Sequence, residues 1–173
     1  MTAISWFLKF QHRKVLPSTV NLLGQQVFLS QLTLQEHTCS FRAKPIWLKV
    51  HQQSNKIQVF ASQIAQQEAT LIPDLLESLH TVLELSDQVR ETLKVLDQIQ
   101  MPVYQNLAEQ RLKHSCDRLK TTHEQLQHLY EHTVLSKVSQ NIGISQLPER
   151  LQLLIDTNKA ALQASNSLHN KKD

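Results

Sequence analysis

An all-α bundle is the fold class this sequence predicts. Glycine is nearly absent, two in 173 residues, against 28 leucines and 22 glutamines. Leu and Gln are good helix formers and Gly is a poor one. β-rich folds and phosphate-cradling enzymes use far more glycine in turns and loops. Apolar residues also recur at three- and four-residue spacing over long stretches. Pro17, Pro45, Pro73, Pro102 and Pro148 each stand just before or at the start of such a stretch. A helix tolerates proline there, because its first N–H has no intrahelical partner.

The elements follow in order. Over residues 18–35, Val20, Leu23, Val27 and Leu34, with Leu22, Leu29 and Leu32 beside them, suit a helix apolar on more than one side. Residues 46–67 fit two patterns. Ile46, Val50, Ile57, Phe60 and Ile64 have helical spacing, while Ile46-Leu48-Val50 and Ile57-Val59 around Gln52-Gln53-Ser54-Asn55 would make a hairpin. An isolated hairpin is marginal and no other clean strand exists, so helix is preferred. Leu76, Leu79, Leu83, Ser86, Val89, Leu93 and Leu96 mark one face of a helix over about 73–100, which Pro102 stops or kinks. Ala108, Leu112, Ser115, Leu119, His123, Leu126 and Tyr130 mark a second over 102–138, and Asn141-Ile142-Gly143 reads as its stop. Leu147, Leu151, Leu154, Ala161, Ser165 and Leu168 mark a last helix over about 148–168, after which the tail should fray. The heptad-like spacing would also suit an intermolecular coiled coil. The break at Pro102 favours an intramolecular antiparallel bundle.

Charge divides the chain. Residues 1–60 carry a net +6, residues 61–100 a net −5, and residues 101–173 a net +2. A basic helical N-terminal region (1–70) and a helical-bundle C-terminal region (71–173) are expected. The basic parts suit an anionic partner, or else pack beside the acidic helix. No apolar run approaches the ~20 residues of a membrane span. Cys39 and Cys116 are too few for a disulfide framework. The short apolar stretch Ile4 to Phe10, broken by Ser5 and Lys9, is not a secretory signal, so a cytoplasmic protein is expected.

Catalytic and metal motifs are missing. Two glycines exclude a Walker-type loop and a G-x-S-x-G elbow. His128 and His132 are one helical turn apart, but His123-Glu124 does not complete H-E-x-x-H. Glu77-x-x-His80 is half of a di-iron carboxylate motif whose second half does not occur. No metal, no cofactor and no enzymatic activity are expected.

Basic residues interleaved with aromatics are the strongest chemical signal. Trp6, Phe7, Lys9, Phe10, His12, Arg13 and Lys14 form one cluster, and Phe41, Arg42, Lys44, Trp47 and Lys49 another. Single-stranded nucleic acid is held by cations on phosphates and aromatic faces on bases. Lys9, Arg13, Lys14, Arg42, Lys44, Trp47 and Lys49 are therefore candidate DNA-binding residues. The same N-terminal cluster could instead lie on an anionic membrane surface, making the protein a membrane-associated helical scaffold, or pack into the core. A further basic group, Arg111, Lys113, Arg118 and Lys120, sits on the 102–138 helix. Arg150 opens the last helix, which short connections would fold back antiparallel. Arg118 and Arg150 facing each other across a groove would suit a carboxylate. Ordinary surface arginines beside Asp117 or Glu149 are the alternative.

Short segments resemble PriC, the primosomal replication protein N″ of bacterial replication restart. Leu71-Ile72-Pro73-Asp74-Leu75-Leu76-Glu77-Ser78-Leu79, after a glutamine-rich stretch, is similar to that family's leucine-rich segment. Tyr104-Gln105-Asn106-Leu107-Ala108 resembles the start of its second long helix. Asp117-Arg118-Leu119 and Glu149-Arg150-Leu151-Gln152 resemble its charged-Arg-Leu steps. Where the family has an aromatic three residues before its first functional arginine, this chain has Ser115. The resemblance implies a non-enzymatic adaptor that binds single-stranded or forked DNA and helps load the replicative helicase DnaB. It also implies binding of the acidic C-terminal tail of single-stranded DNA-binding protein (SSB). Arg118 and Arg150 would take the tail's carboxylates, with Leu119 and Leu151 near its apolar end.

Overall fold

The computed structural model of the protein describes residues 21–36, 43–138 and 146–167. Among these, five α-helices and one short 3₁₀ turn form an all-α bundle with no strand. The helices are α1 (Gln25–Glu36), α2 (Lys44–Gln67), α3 (Ile72–Gln98), α4 (Pro102–Val138) and α5 (Leu147–Ser167). Residues 46–67 are helix, not hairpin. Pro45, Pro73, Pro102 and Pro148 all lie within the first turn of their helices. Pro17 and the expected stop at Asn141-Ile142-Gly143 lie outside the described residues.

Contacts between elements fix their direction. The α3–α4 connection is short, and Gln105 Nε2 donates to the Ile99 carbonyl at 2.9 Å. Ser115 Oγ donates to Gln88 Oε1 at 2.8 Å, and Thr81 and Thr122 both bond Asn158. The α4 partner climbs as the α3 partner falls, so the pair is an antiparallel hairpin. The 3₁₀ turn at Ala69–Leu71 reverses α2 into α3 in the same way, and Ser54 Oγ meets Ser86 Oγ at 3.1 Å. Accordingly α2 runs parallel to α4, and the Phe60 ring lies 5.6 Å from the His123 ring.

Chain length sets the direction of α5. Asn158 sits beside Thr122. If α5 ran parallel to α4, Leu147 would lie about 40 Å back along the axis from Val138. The nine residue steps between them span at most ~32 Å. Hence α5 is antiparallel to α4. It packs against both α3 and α4 on the flank away from α2.

One hydrophobic cluster runs through all five helices, from Leu22, Phe28 and Leu32 to Leu147, Leu151, Leu154 and Ile155. The boundary expected near residue 70 therefore falls within a shared core. Helix α3 touches every other helix, and its middle is buried almost all round: Ser78, Leu79, Thr81, Val82, Leu83, Leu85, Ser86 and Val89. The single stripe read from the sequence was too narrow for a central helix, and Leu76 and Leu96 are only partly buried. The α1 stripe also differs. Leu22, Phe28 and Leu32 are buried, while Val27 and Leu34 are exposed. The chain turns at Asn21–Gly24, where Asn21 Oδ1 accepts from the Leu23 N–H at 3.2 Å, and helix begins only at Gln25.

Candidate functional site

Arg118 lies on the flank of α4 that meets α5, and Asn158 explains its geometry. Asn158 is fully buried on α5. Its Nδ2 donates to Thr81 Oγ1 on α3 at 3.0 Å. Its Oδ1 accepts from Thr122 Oγ1 at 3.0 Å and from Arg118 Nε at 2.6 Å. Arg118 Nη2 also donates to Gln125 Oε1 at 3.2 Å, two turns along the same helix. Two of the five guanidinium N–H donors are thus engaged among the described residues, and three are left for a ligand. Burial lowers the Arg118 pKa from its ordinary value. It stays charged, because an arginine is protonated at any physiological pH.

Arg111 shares this flank one heptad earlier. It too is half-buried, burial lowers its pKa, and its Nε is buried with no partner among the described residues. Further towards the N-terminus of α4, Leu107 and Tyr104 continue the stripe, 52% and 41% exposed. Residues 104, 107, 111 and 118 repeat at three, four and seven, which keeps them on one side of a helix. The antiparallel register brings Ser167, the described end of α5, level with about Lys113. Beyond that level the facing flanks of α3 and α4 continue the line of the same seam. Tyr104, Leu107 and Arg111 line its α4 side. Val95 lies on its α3 side, on the helix face that carries Thr81 and Gln88, and is also exposed.

The other expected peptide-binding residues are placed differently. Arg150 is exposed in the first turn of α5, and its Nη2 donates to Gln146 Oε1 at 3.4 Å. It lies eight residues, or about 12 Å of helix, from Asn158, on the side away from Arg118. The structure does not bring the two arginines to one carboxylate site. Leu119 and Leu151 are both core residues, each 1% exposed, and offer no surface to a peptide. Ser115 is fully buried and bonded to Gln88. Asn158 and Gln125, which hold Arg118, were missed by sequence reasoning. Nothing in their spacing separates them from the chain's many other amides.

Of the candidate DNA-binding residues, Lys44 and Lys49 are exposed on α2. Trp47 corrects the expectation. It is fully buried among the largest core side chains, and its indole cannot offer a face to a base. Its position puts it on the inner side of α2 with Val50, Ser54 and Ile57. Lys9, Arg13, Lys14 and Arg42 lie outside the described residues. Glu77, from the half di-iron motif, pairs with Lys159 across α3 and α5. Among the described residues, no three His, Cys, Asp or Glu side chains gather as a metal set, and no helix is long and apolar enough to cross a membrane.

Comparison with protein families, curated proteins and solved structures found no significant match. The likeness to PriC therefore rests on the sequence segments quoted above.

Proposed function

We propose that this protein is a non-enzymatic adaptor of the replication-restart type. It would bind single-stranded or forked DNA and the acidic, apolar-ended tail of SSB, and promote loading of the replicative helicase DnaB. The observation that carries the reading is the half-buried Arg118, held by Asn158 and Gln125 with three donors to spare. A guanidinium fixed in this way suits a carboxylate, because little of its freedom is left to lose on binding. Arg111 supplies a second cation on the same stripe, and exposed Leu107 and Tyr104 supply apolar surface. An acidic peptide with an apolar terminus matches both features at once. Arg118 and Arg111 thus form the peptide site in this reading, and Arg150 lies outside it.

Isothermal titration with an SSB tail peptide tests the site. Arg118→Ala and Arg111→Ala should each weaken binding about 10- to 30-fold, on the scale of a partly desolvated charge-assisted bond. Arg150→Ala, away from this site, should leave tail binding near wild type. A peptide lacking its terminal residue should lose binding to wild type. Normal tail binding by both Arg118→Ala and Arg111→Ala would exclude the site. The DNA part of the reading draws on the exposed α2 lysines, and anisotropy with labelled single-stranded DNA at graded salt tests it.

A further inference from the structure

A second surface lies on the opposite flank of α4, where it meets α2. A shallow groove of about 350 Å³ opens there, lined by Asn55, Lys56, Val59 and Phe60 of α2 and by His123 and Gln127 of α4. The parallel register of the two helices sets Phe60 beside His123. The Phe60 ring is tilted 37° to the His123 ring and 41° to the Tyr130 ring, at 5.6 Å from each. Aromatic surface in the groove is flanked by two amide side chains and one ammonium group. Lys56 is exposed and forms no ion pair among the described residues. Lys49 lies seven residues earlier on the same face of α2, about 10 Å along the axis, and is also exposed.

We propose that this groove is a base-stacking site for single-stranded nucleic acid, in which an unstacked base rests on Phe60 and His123 while Lys56 and Lys49 follow its phosphates. The chemistry is specific to an unpaired strand. A duplex keeps its base faces covered, whereas a single strand can turn one out onto an aromatic ring. Asn55 and Gln127 can each both donate to and accept from a base edge. Asn55 Oδ1 already accepts from Gln25 at 3.3 Å, and Gln127 Nε2 donates to Glu131 at 2.9 Å. Their remaining amide atoms are the ones available to a base. Glu124 and Glu131 stand on the α4 side, and Lys120 approaches Glu124 at 3.9 Å. That acidity directs the phosphates to the α2 rim, where the lysines are. The groove takes over the role that buried Trp47 cannot fill. The inference deepens the proposed DNA binding and rests on it.

The test uses the whole protein and two fluorescent probes, an oligothymidylate of about 15 nucleotides and the same strand with a run of abasic sites. Anisotropy titrations give affinities. Wild type should bind the oligothymidylate and lose about tenfold on the abasic strand, the size of one stacked base. Phe60→Leu keeps apolar bulk and removes the ring. It should bind the oligothymidylate about tenfold more weakly and no longer distinguish the two probes. Lys56→Gln should reduce the slope of log affinity against log salt by about 0.7. Should Phe60→Leu fail to fold, the wild-type comparison still decides, together with the His123 ring signals in NMR, which must shift when the oligothymidylate binds. If wild type binds no single strand at all, the DNA reading falls and this site with it. If wild type binds both probes equally and the His123 signals stay still, the DNA site lies elsewhere and the groove proposal is overturned. Shifts of the His123 signals by an apolar peptide, with none by the oligothymidylate, would overturn it too.

Discussion

Asn158→Ala should destabilise the bundle by about 3 kcal/mol, and the structure apportions that cost. The wild-type amide joins three helices through Thr81, Thr122 and Arg118. Both threonines have another partner within their own helix. Thr81 Oγ1 donates to the Ser78 carbonyl at 2.7 Å, and Thr122 Oγ1 to the Arg118 carbonyl at 2.9 Å. Truncation therefore costs little at either hydroxyl. Arg118 Nε has no such reserve, and losing a bond to a charged donor costs about 1.5–3 kcal/mol. The emptied volume adds up to ~1 kcal/mol. With a urea m-value of about 2 kcal/mol/M, the midpoint should fall by roughly 1.5 M with m unchanged. Asn158→Leu refills the volume but leaves the guanidinium unpaired, so it should recover little. The same leucine beside Arg118→Met should recover most of the loss, because removing both partners is far cheaper than removing one. A double-mutant cycle of Asn158→Ala with Arg118→Ala should show coupling of about 1.5 kcal/mol or more. The reasoning is refuted by strictly additive losses, or by an Asn158→Ala cost below 1 kcal/mol.

Two leucines of α4 should separate stability from binding: Leu119→Ala should lower stability by about 2–5 kcal/mol in urea melts as a core truncation, whereas exposed Leu107→Ala should leave the melt near wild type and weaken SSB-tail binding. The Cys116 thiol is pushed up to about 11, by burial first and by the Asp117 charge second. At pH 8 it should react with a thiol-specific reagent far more slowly than a free cysteine and reach the free rate on unfolding; a fast native rate, followed by absorbance, would contradict this. Burial and then the Lys56 charge lower the His123 pKa, while neighbouring Glu124 opposes the shift. In the unfolded chain His123 takes up its proton near 6.5, before the folded protein does. Its contribution is therefore complete above 6.5 and lost as pH falls through the lower folded value. His123→Gln should flatten the pH dependence of stability in that window, read as urea midpoints across the acid range.

How much of this was legible in the sequence follows from how each feature is encoded. Helix extents were readable because Pro73, Pro102 and Pro148 punctuate them and because two glycines leave few other folds open. Residues 46–67 were ambiguous because an apolar residue every two to four positions fits both periods, and only packing resolves them: Trp47, Val50, Ser54, Ile57, Ala61 and Ile64 all turn inward on one helical face. The phase of α4 was read one step off at His123 and Tyr130. The residues buried there are Thr122, Leu126, Leu129 and Thr133, with the rings at the edge against Phe60. A helix packed between two neighbours buries threonine when its hydroxyl can return a bond to the preceding turn, as Thr122 and Thr133 do.

The candidate site was harder to read because arginine chemistry depends on what stands behind the guanidinium. Arg118 and Arg150 have the same local sequence, an acid before and a leucine after. One is held against a fully buried amide and the other reaches only an i−4 glutamine on open surface. The difference comes from Asn158, 40 residues away in the chain and invisible as a partner until α5 folds back. A buried asparagine also acts as a register pin. Sliding α5 by one turn would place Leu154 or Leu162 against Thr81, Thr122 and Arg118, leaving two hydroxyls and a charge facing a hydrocarbon side chain. The cost of that mismatch disfavours every shifted packing of α5. Leucine-rich helices pack tolerantly, and here a polar node selects one register among them. The arginine that helps to select it is also the one on which the proposed peptide site is built, so loss of the Asn158 bond should disturb both the register of α5 and, in that reading, tail binding.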